Sequence, residues 1–289
     1  MNVPSNRLFD LYRYYSKSLQ SVYPIKEAQG LIEILIEHFF DVSKIRLLTE
    51  SDLRLSESEL LTLHFAVKRL KNEEPVQYVT GQTIFCDHRF DVDQSVLIPR
   101  PETEQLVEIC AGFLSESSNS GVIADIGTGS GCIAICLALR FPHLRVEAFD
   151  VSEAALKTAE HNAARLGAKV SFQQFDVLND PFRGSGVSYQ LVVSNPPYVL
   201  MSEKDSMRNN VLGFEPHQAL FVPDNDPLMF YRAIAQMVRP LLGSEGMLAF
   251  EINERMGSPV SLLLEKEGYH QIRMYQDFHG KYRFVTALR

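Results

Sequence analysis

Residues 124–135 read ADIGTGSGCIAI: an apolar run, glycines at 127, 129 and 131, then a second apolar run. No other stretch limits the fold as much. The first run (VIADI) has the character of a buried strand and the second (CIAICLALR) that of a helix. Glycines between them let the chain turn tightly and let a ligand reach the main chain with no Cβ in the way. The rest of this half alternates in the same way. Helix PETEQLVEICAGFL precedes the turn; strand RVEAFD, helix EAALKTAEHNAARLG, strand KVSFQQFD and strand YQLVVS follow it. Helix PLMFYRAIAQMVRPLL, strand GMLAFEIN and helix SPVSLLLEKEG come next, which predicts a doubly wound α/β sheet. YHQIRMYQDF and KYRFVTALR flank His279-Gly280 and predict an antiparallel hairpin at the sheet edge.

The first 75 residues have a different period. In SESELLTLHFAVKRLKN, Ser56 and Glu59 stand at capping-box spacing, and Leu60, Leu63, Val67 and Leu70 recur at helical intervals. A small N-terminal helical bundle domain is expected over 1–75. From Tyr78 to Ile98 the pattern turns to short β-rich pieces, YVTGQTIF and HRFDVDQSVLIP, so 76–98 is expected to be a β-hairpin linker and 99–289 the α/β domain.

Composition narrows the function. A formal net charge of −8 argues against affinity that comes mainly from neutralising phosphates, so no direct nucleic-acid binding is expected. The most apolar stretch, GLIEILIEHFF, is broken by Glu33 and Glu37, and the start of the chain lacks a signal-peptide core. A cytoplasmic protein with no membrane association, and a monomer, is expected. Four cysteines (Cys86, Cys110, Cys132, Cys136) form neither a disulfide framework nor a CxxC pair. Cys132 and Cys136, one helical turn apart, are read as helix packing, and His64 as a half-buried helix residue; no metal site is expected.

The G-x-G-x-G spacing of Gly127-Thr128-Gly129-Ser130-Gly131 differs from the G-x-G-x-x-G of dinucleotide enzymes, and no phosphate-gripping lysine follows it as in a P-loop. Asp150 ends the next strand, where a carboxylate can accept from both ribose hydroxyls. Asp176 ends the third strand, within reach of an adenine ring in this layout. Either acid alone is ordinary at a strand end. Three strand ends with suitable groups in order point to an adenosine compound without a pyrophosphate.

The fourth strand runs into Asn195-Pro196-Pro197-Tyr198 at the same edge. Two prolines fix φ, remove two amide donors and leave carbonyl acceptors on a stiff corner. With the Asn195 side-chain oxygen, the corner can accept both hydrogens of a planar NH2 group. A carboxamide nitrogen is a poor nucleophile because its lone pair is delocalised. Acceptors that hold both hydrogens as the nitrogen pyramidalises free that pair for in-line attack on a sulfonium methyl. Tyr198 is expected to supply an aromatic wall for the planar group.

IPRPETE (98–104), ADIGTGSG (124–131), FDVS (149–152), SNPPYV (194–199) and EPHQAL (215–220) together resemble the bacterial-type peptide chain release factor glutamine methyltransferases. The likeness runs in order from about Pro75 to the C-terminus, and the first 75 residues resemble that family's N-terminal domain in character and length. It implies a class I methyltransferase fold. The cofactor would be S-adenosylmethionine and the partners class 1 release factors, whose Gly-Gly-Gln glutamine is methylated on its side-chain nitrogen. By this resemblance Gly127 to Gly131 hold the methionine part of the cofactor, Asp150 its ribose, and Asp176 and Val177 border the adenine. Asn195, Pro196, Pro197 and Tyr198 hold the glutamine, and Arg100 and Glu215 belong to the substrate end. The sequence departs from the family pattern at Val177, often aromatic there, at Asp87, where the hairpin usually has Gly, and at VPDNDPL (222–228), in place of a glycine-rich turn. Two rival readings are an adenine-amino methyltransferase of DNA or RNA, which meets the same NH2 problem, and an inactive binding module of the same fold.

Overall fold

The computed structural model describes residues 5–50, 52–116, 121–179 and 188–289. The chain forms two units: residues 1–81 with 208–214, and residues 82–207 with 215–289.

The first unit contains α1 (Leu8–Leu19), α2 (Ile25–Phe40), α3 (Lys44–Thr49), α4 (Glu57–Lys71) and α5 (Val76–Thr80). Ser56 and Glu59 form the expected capping box at the start of α4: the Ser56 N–H donates to Glu59 Oε2 at 2.8 Å, and the Glu59 N–H to Ser56 Oγ at 3.4 Å. Leu60, Leu63, Val67 and Leu70 then face a core shared with Leu11 of α1 and Ile32 and Leu35 of α2. His64 lies beside that face, with its Nδ1 3.2 Å from the Tyr15 hydroxyl.

The β-rich stretch expected from Tyr78 starts later. Residues 76–80 are helical, bracketed by Pro75 at the N-cap and Gly81 at φ +73°. The Arg69 guanidinium, paired with Glu74 at 2.6 Å, donates to the carbonyls of Tyr78 (2.9 Å) and Val79 (3.1 Å) and so satisfies the end of this short helix. A residue seven positions before the helix decides its fate, which a local β-propensity does not register. The unit thus runs to Gly81, beyond the expected boundary at 75. Its late segment is tied in by Asn209 Nδ2, which donates to Glu73 Oε2 at 3.0 Å.

The second unit opens with the hairpin β1 (Gln82–Phe85) and β2 (His88–Asp91). Its two turn residues, Cys86 (φ +47°) and Asp87 (φ +61°), are both left-handed, as the twist of a two-residue hairpin requires. Next come α6 (Pro101–Glu116), β3 (Val122–Ile126), α7 (Cys132–Arg140), β4 (Arg145–Asp150), α8 (Glu153–Leu166), β5 (Val170–Gln174), β6 (Tyr189–Ser194) and β7 (Val199–Leu200). After α9 (Asn209–Leu212), which belongs to the helical unit, follow β8 (Phe221–Val222), α10 (Met229–Val238), β9 (Leu242–Glu251), α11 (Gly257–Lys266), β10 (His270–Gln276) and β11 (Tyr282–Leu288).

Among the described residues seven strands make the main sheet, in the order β10-β11-β9-β6-β3-β4-β5. From β9 to β5 all neighbours are parallel; β11 is antiparallel to both β9 and β10, which gives the expected edge hairpin. The central strands are apolar on both faces. Ile123, Leu191 and Val193 pack with Leu106 of α6 and Ile133 of α7. Val122, Ala124 and Val192 pack on the other face with Ile234 of α10 and Leu264 of α11. Chain order diverges on either side of β3, so the carboxyl ends of β3, β4 and β6 frame the crevice where open α/β sheets bind ligands.

Candidate active site

The glycine turn leaves β3 at that edge and is hung on the neighbouring strand: the N–H groups of Gly127 and Thr128 both donate to the Phe149 carbonyl, at 2.8 and 2.9 Å. All three glycines have positive φ (+76°, +56° and +81°), but their surroundings differ. A Cβ on Gly127 or Gly129 would meet nothing within 4 Å; one on Gly131 would lie 2.9 Å from Ile135 Cδ1 and 3.0 Å from Ala159 Cβ. The first two therefore keep a ligand space clear, whereas the third allows α7 and α8 to approach. Thr128 and Ser130 are buried and support the turn from behind. Thr128 Oγ1 donates to Asp125 Oδ2 at 2.7 Å, and the Ser130 carbonyl accepts from the buried amide of Asn162 at 3.0 Å. Asn162 also holds the backbone of Asp91 from both sides, so one side chain couples hairpin and glycine turn.

Asp150 closes β4 opposite the turn. Its Oδ2 accepts the Gly129 N–H at 2.8 Å and its Oδ1 the Ser152 N–H at 2.9 Å; burial pushes its carboxyl above the ordinary value while these N–H bonds oppose the rise. Each oxygen keeps a lone pair for a further donor, as a ribose diol would need. Asp176 follows β5 and is used locally, accepting from the Leu178 N–H and from Asn179. Asp176 and Val177 line the same cavity as Gly127, Gly129 and Asp150. Val177 departs from a pattern that is often aromatic; the nearby ring is Phe175, which also lines the cavity and stands edge-on to Phe149.

Asn195, Pro196 and Pro197 border this same cavity. Asn195 Nδ2 donates to Thr103 Oγ1 at 3.4 Å, and its Oδ1 has no protein partner among the described residues. Tyr198 differs from expectation. It does not line the cavity; its hydroxyl donates to Glu251 Oε1 at 3.0 Å, and burial beside that acid raises its pKa. The aromatic and aliphatic wall comes instead from Phe230 and Ile234 of α10.

Arg100 and Glu215 are brought together, away from the cavity lining. Arg100 Nη2 pairs with Glu215 Oε1 at 2.5 Å, and Glu215 Oε2 accepts the Ile98 N–H at 3.3 Å, so the two loops of IPRPETE and EPHQAL are joined by one buried acid. Glu104 accepts the Cys86 N–H at 2.9 Å and serves the hairpin turn.

Sequence reasoning missed Thr103 and Glu251. Glu251 is 1% exposed and accepts from Thr103 Oγ1 at 2.7 Å as well as from Tyr198. The signal was present: an acid closing the otherwise apolar strand GMLAFE, one residue beyond Phe250, which is in register with Ser194. Among the described residues no group of three or more His, Cys, Asp or Glu could hold a metal.

An S-adenosylmethionine-sized adenosine ligand fits this donor set. Two glycines leave a space that a Cβ would fill, Asp150 offers free lone pairs, and Phe175 and Val177 offer an apolar bed at the far end.

Comparison with known proteins agrees with the geometry. Residues 75–212 match the methyltransferase small domain family and residues 10–81 the PrmC N-terminal domain family. The chain is 42% identical over 277 residues to the release factor glutamine methyltransferase of Bacteroides thetaiotaomicron, covering 96% of this chain and 98% of that one. It is 40% identical to the protein of the same name from Flavobacterium psychrophilum (94% and 96% covered) and 35% identical to that of Bacillus subtilis (90% and 91%). Among solved structures, the hMettl16 catalytic domain in complex with the MAT2A 3'UTR hairpin 6 superposes with a TM-score of 0.54, at 15% identity and 81% coverage of each chain. That likeness is one of fold alone.

Proposed function

The chain belongs to the release factor glutamine methyltransferase family, and from that premise we propose that Asn195, Pro196, Pro197 and Tyr198 form the corner that receives the substrate glutamine. The protein is an S-adenosylmethionine-dependent methyltransferase that methylates a glutamine of peptide chain release factors. The acceptor is the side-chain amide nitrogen of the Gly-Gly-Gln glutamine. A single observation carries the assignment of the corner: Asn195 and the two prolines line the same cavity as Gly127, Gly129 and Asp150.

When bound, S-adenosylmethionine supplies an electrophilic methyl on its sulfonium. The protein's part is positioning and acceptor placement. Gly127 to Gly131 hold the methionine end, Asp150 binds the ribose hydroxyls, and Asp176 and Val177 border the adenine. Asn195 Oδ1 and the Pro196 carbonyl accept the two N–H hydrogens of the glutamine amide. These bonds strengthen as the nitrogen pyramidalises, because its hydrogens become more acidic while its lone pair turns to the methyl carbon. No strong base is called for, since the nitrogen becomes strongly acidic only once the new bond has formed, and its proton then passes to solvent water. Tyr198 braces the corner through Glu251, and the Arg100–Glu215 pair fixes the two loops at the substrate end.

The helical segment recognises the release factor, the enzyme works as a monomer in the cytoplasm, and nucleic acid is not its direct ligand. The net charge of −8 supports the last point. Among the described residues no helix is long and apolar enough to cross a membrane.

The test is mass spectrometry of a purified class 1 release factor after incubation with the protein and S-adenosylmethionine, beside an adenine-containing oligonucleotide. One methyl on the Gly-Gly-Gln glutamine is expected. Transfer to the oligonucleotide and not to the release factor would overturn the reading.

A further inference from the structure

We propose that Thr103 and Glu251 are positioning residues which set the amide of Asn195 with its oxygen, and not its NH2, toward the substrate. This rests on the reading of the corner given above. An asparagine side chain is nearly symmetric in shape, so the amide can turn over with little steric consequence, yet its two ends have opposite polarity. Only one orientation serves the reaction. With the NH2 end turned in, a donor would face the two N–H donors of the glutamine.

The polarity is set by a chain of hydrogen bonds that starts at a group with no donors. Glu251, at the end of β9, lies one residue past the register pair Ser194–Phe250, and its side chain is buried. In its ionised form this carboxylate can only accept. Oε2 therefore takes the Thr103 hydroxyl hydrogen (2.7 Å) and Oε1 the Tyr198 hydroxyl hydrogen (3.0 Å). With its single hydrogen committed, Thr103 Oγ1 has only lone pairs left for Asn195, 3.4 Å away, and these can be met only by Nδ2. Oδ1 is thereby left as the free end. Burial raises the Glu251 carboxyl above its ordinary value; the hydroxyls of Thr103 and Tyr198 and the charge of Arg283, which donates to Asp277 at 3.2 Å, oppose that rise and favour the ionised form in which the relay runs. Three elements distant in sequence, the first turn of α6, the end of β6 and the end of β9, thus determine which atom of one side chain meets the substrate.

The experiment compares methylation of a release factor by wild type, Thr103→Ser, Thr103→Val and Glu251→Gln, with S-adenosylmethionine affinity measured by calorimetry and folding by thermal unfolding. Valine keeps the shape of threonine but has no hydroxyl. It should lower kcat by roughly 10- to 100-fold, with the cofactor Kd and the KM for release factor within about threefold. Serine keeps the hydroxyl and should restore kcat to within about threefold of wild type. Glu251→Gln places an NH2 donor in the relay and lets it run in reverse, so a loss like that of valine is expected; should this variant not fold, the valine–serine pair decides alone. A Thr103→Val enzyme with kcat within threefold of wild type, or a serine enzyme as impaired as the valine one, would overturn the proposal. If wild type itself left the release factor unmethylated, the functional reading would fall with it, and the two failures are told apart by that control.

Discussion

Replacing Gly131 and Gly129 by alanine, one at a time, separates two uses of glycine that look the same in sequence. Both positions are left-handed, at φ +81° and +56°, so each alanine incurs about 1–2 kcal/mol of backbone strain, partly offset by a stiffer unfolded chain. These contributions are common to the two variants and largely cancel in their difference. What remains is packing. At Gly129 the new methyl meets nothing within 4 Å, whereas at Gly131 it lies 2.9 Å from Ile135 Cδ1 and 3.0 Å from Ala159 Cβ, with the Ala159 Cα at 3.4 Å. Ala159 cannot rotate away, and relieving its contact means moving α8 or α7; overpacking of this kind costs about 1–3 kcal/mol. Gly131→Ala should therefore be about 1–3 kcal/mol less stable than Gly129→Ala in urea denaturation. Calorimetric titration should show a contrasting pattern, since Gly129 lines the cavity proposed for the cofactor: Gly129→Ala should weaken S-adenosylmethionine binding by about tenfold or more, a step of roughly 1.4 kcal/mol. Equal stabilities would refute the assignment of Gly131 to helix packing. An unchanged cofactor Kd in Gly129→Ala would refute the cradle.

Asn195→Ala should reduce methyl transfer by roughly 100-fold or more while leaving cofactor affinity within a few fold; turnover within tenfold of wild type would remove Asn195 from its role. Asp150→Ala should weaken cofactor binding by about 1–3 kcal/mol, and an unchanged dissociation constant would refute the ribose assignment. Asp125, fully buried behind the glycine turn, has its carboxyl pushed up to about 7 from an ordinary 3.8, chiefly by desolvation. Between those values the folded chain keeps a proton that the unfolded chain has lost, so this group's contribution should fall as pH rises, by about 1.4 kcal/mol per unit, and level off above 7. Denaturation curves from pH 4.5 to 8 should show the stability of wild type declining relative to Asp125→Asn across that window; a rise would contradict the argument.

The features legible in the sequence are those whose causes lie within a few residues. The Ser56–Glu59 box, the stripe of α4, the glycine turn and Asp150 at the end of β4 are all local patterns, and each appears where its spacing places it, whereas Asp176 falls two residues past the end of β5. The features that escaped depend on partners brought together by the sheet. Thr103 and Glu251 are 148 positions apart, and the acid's meaning emerges only when β9 is aligned with β6. Tyr198 has the composition of a stacking wall, yet a buried acceptor draws its hydroxyl elsewhere. Residues 76–80 have strand propensity but become helical because Arg69 reaches their carbonyls. Arg100 and Glu215, 115 positions apart, pair with one another, a contact no local pattern announces.

Residues 208–214 belong to the helical unit although they follow the Asn195-Pro196-Pro197-Tyr198 corner in the chain. The helical part is therefore not a detachable module. An expression fragment ending at residue 81 would lack Asn209, whose amide holds Glu73, and Arg208, which lies 3.8 Å from Glu27. A chimaera that exchanges helical units between relatives must transplant two segments, not one. A graft of the first alone would leave a foreign stretch of chain to close the bundle.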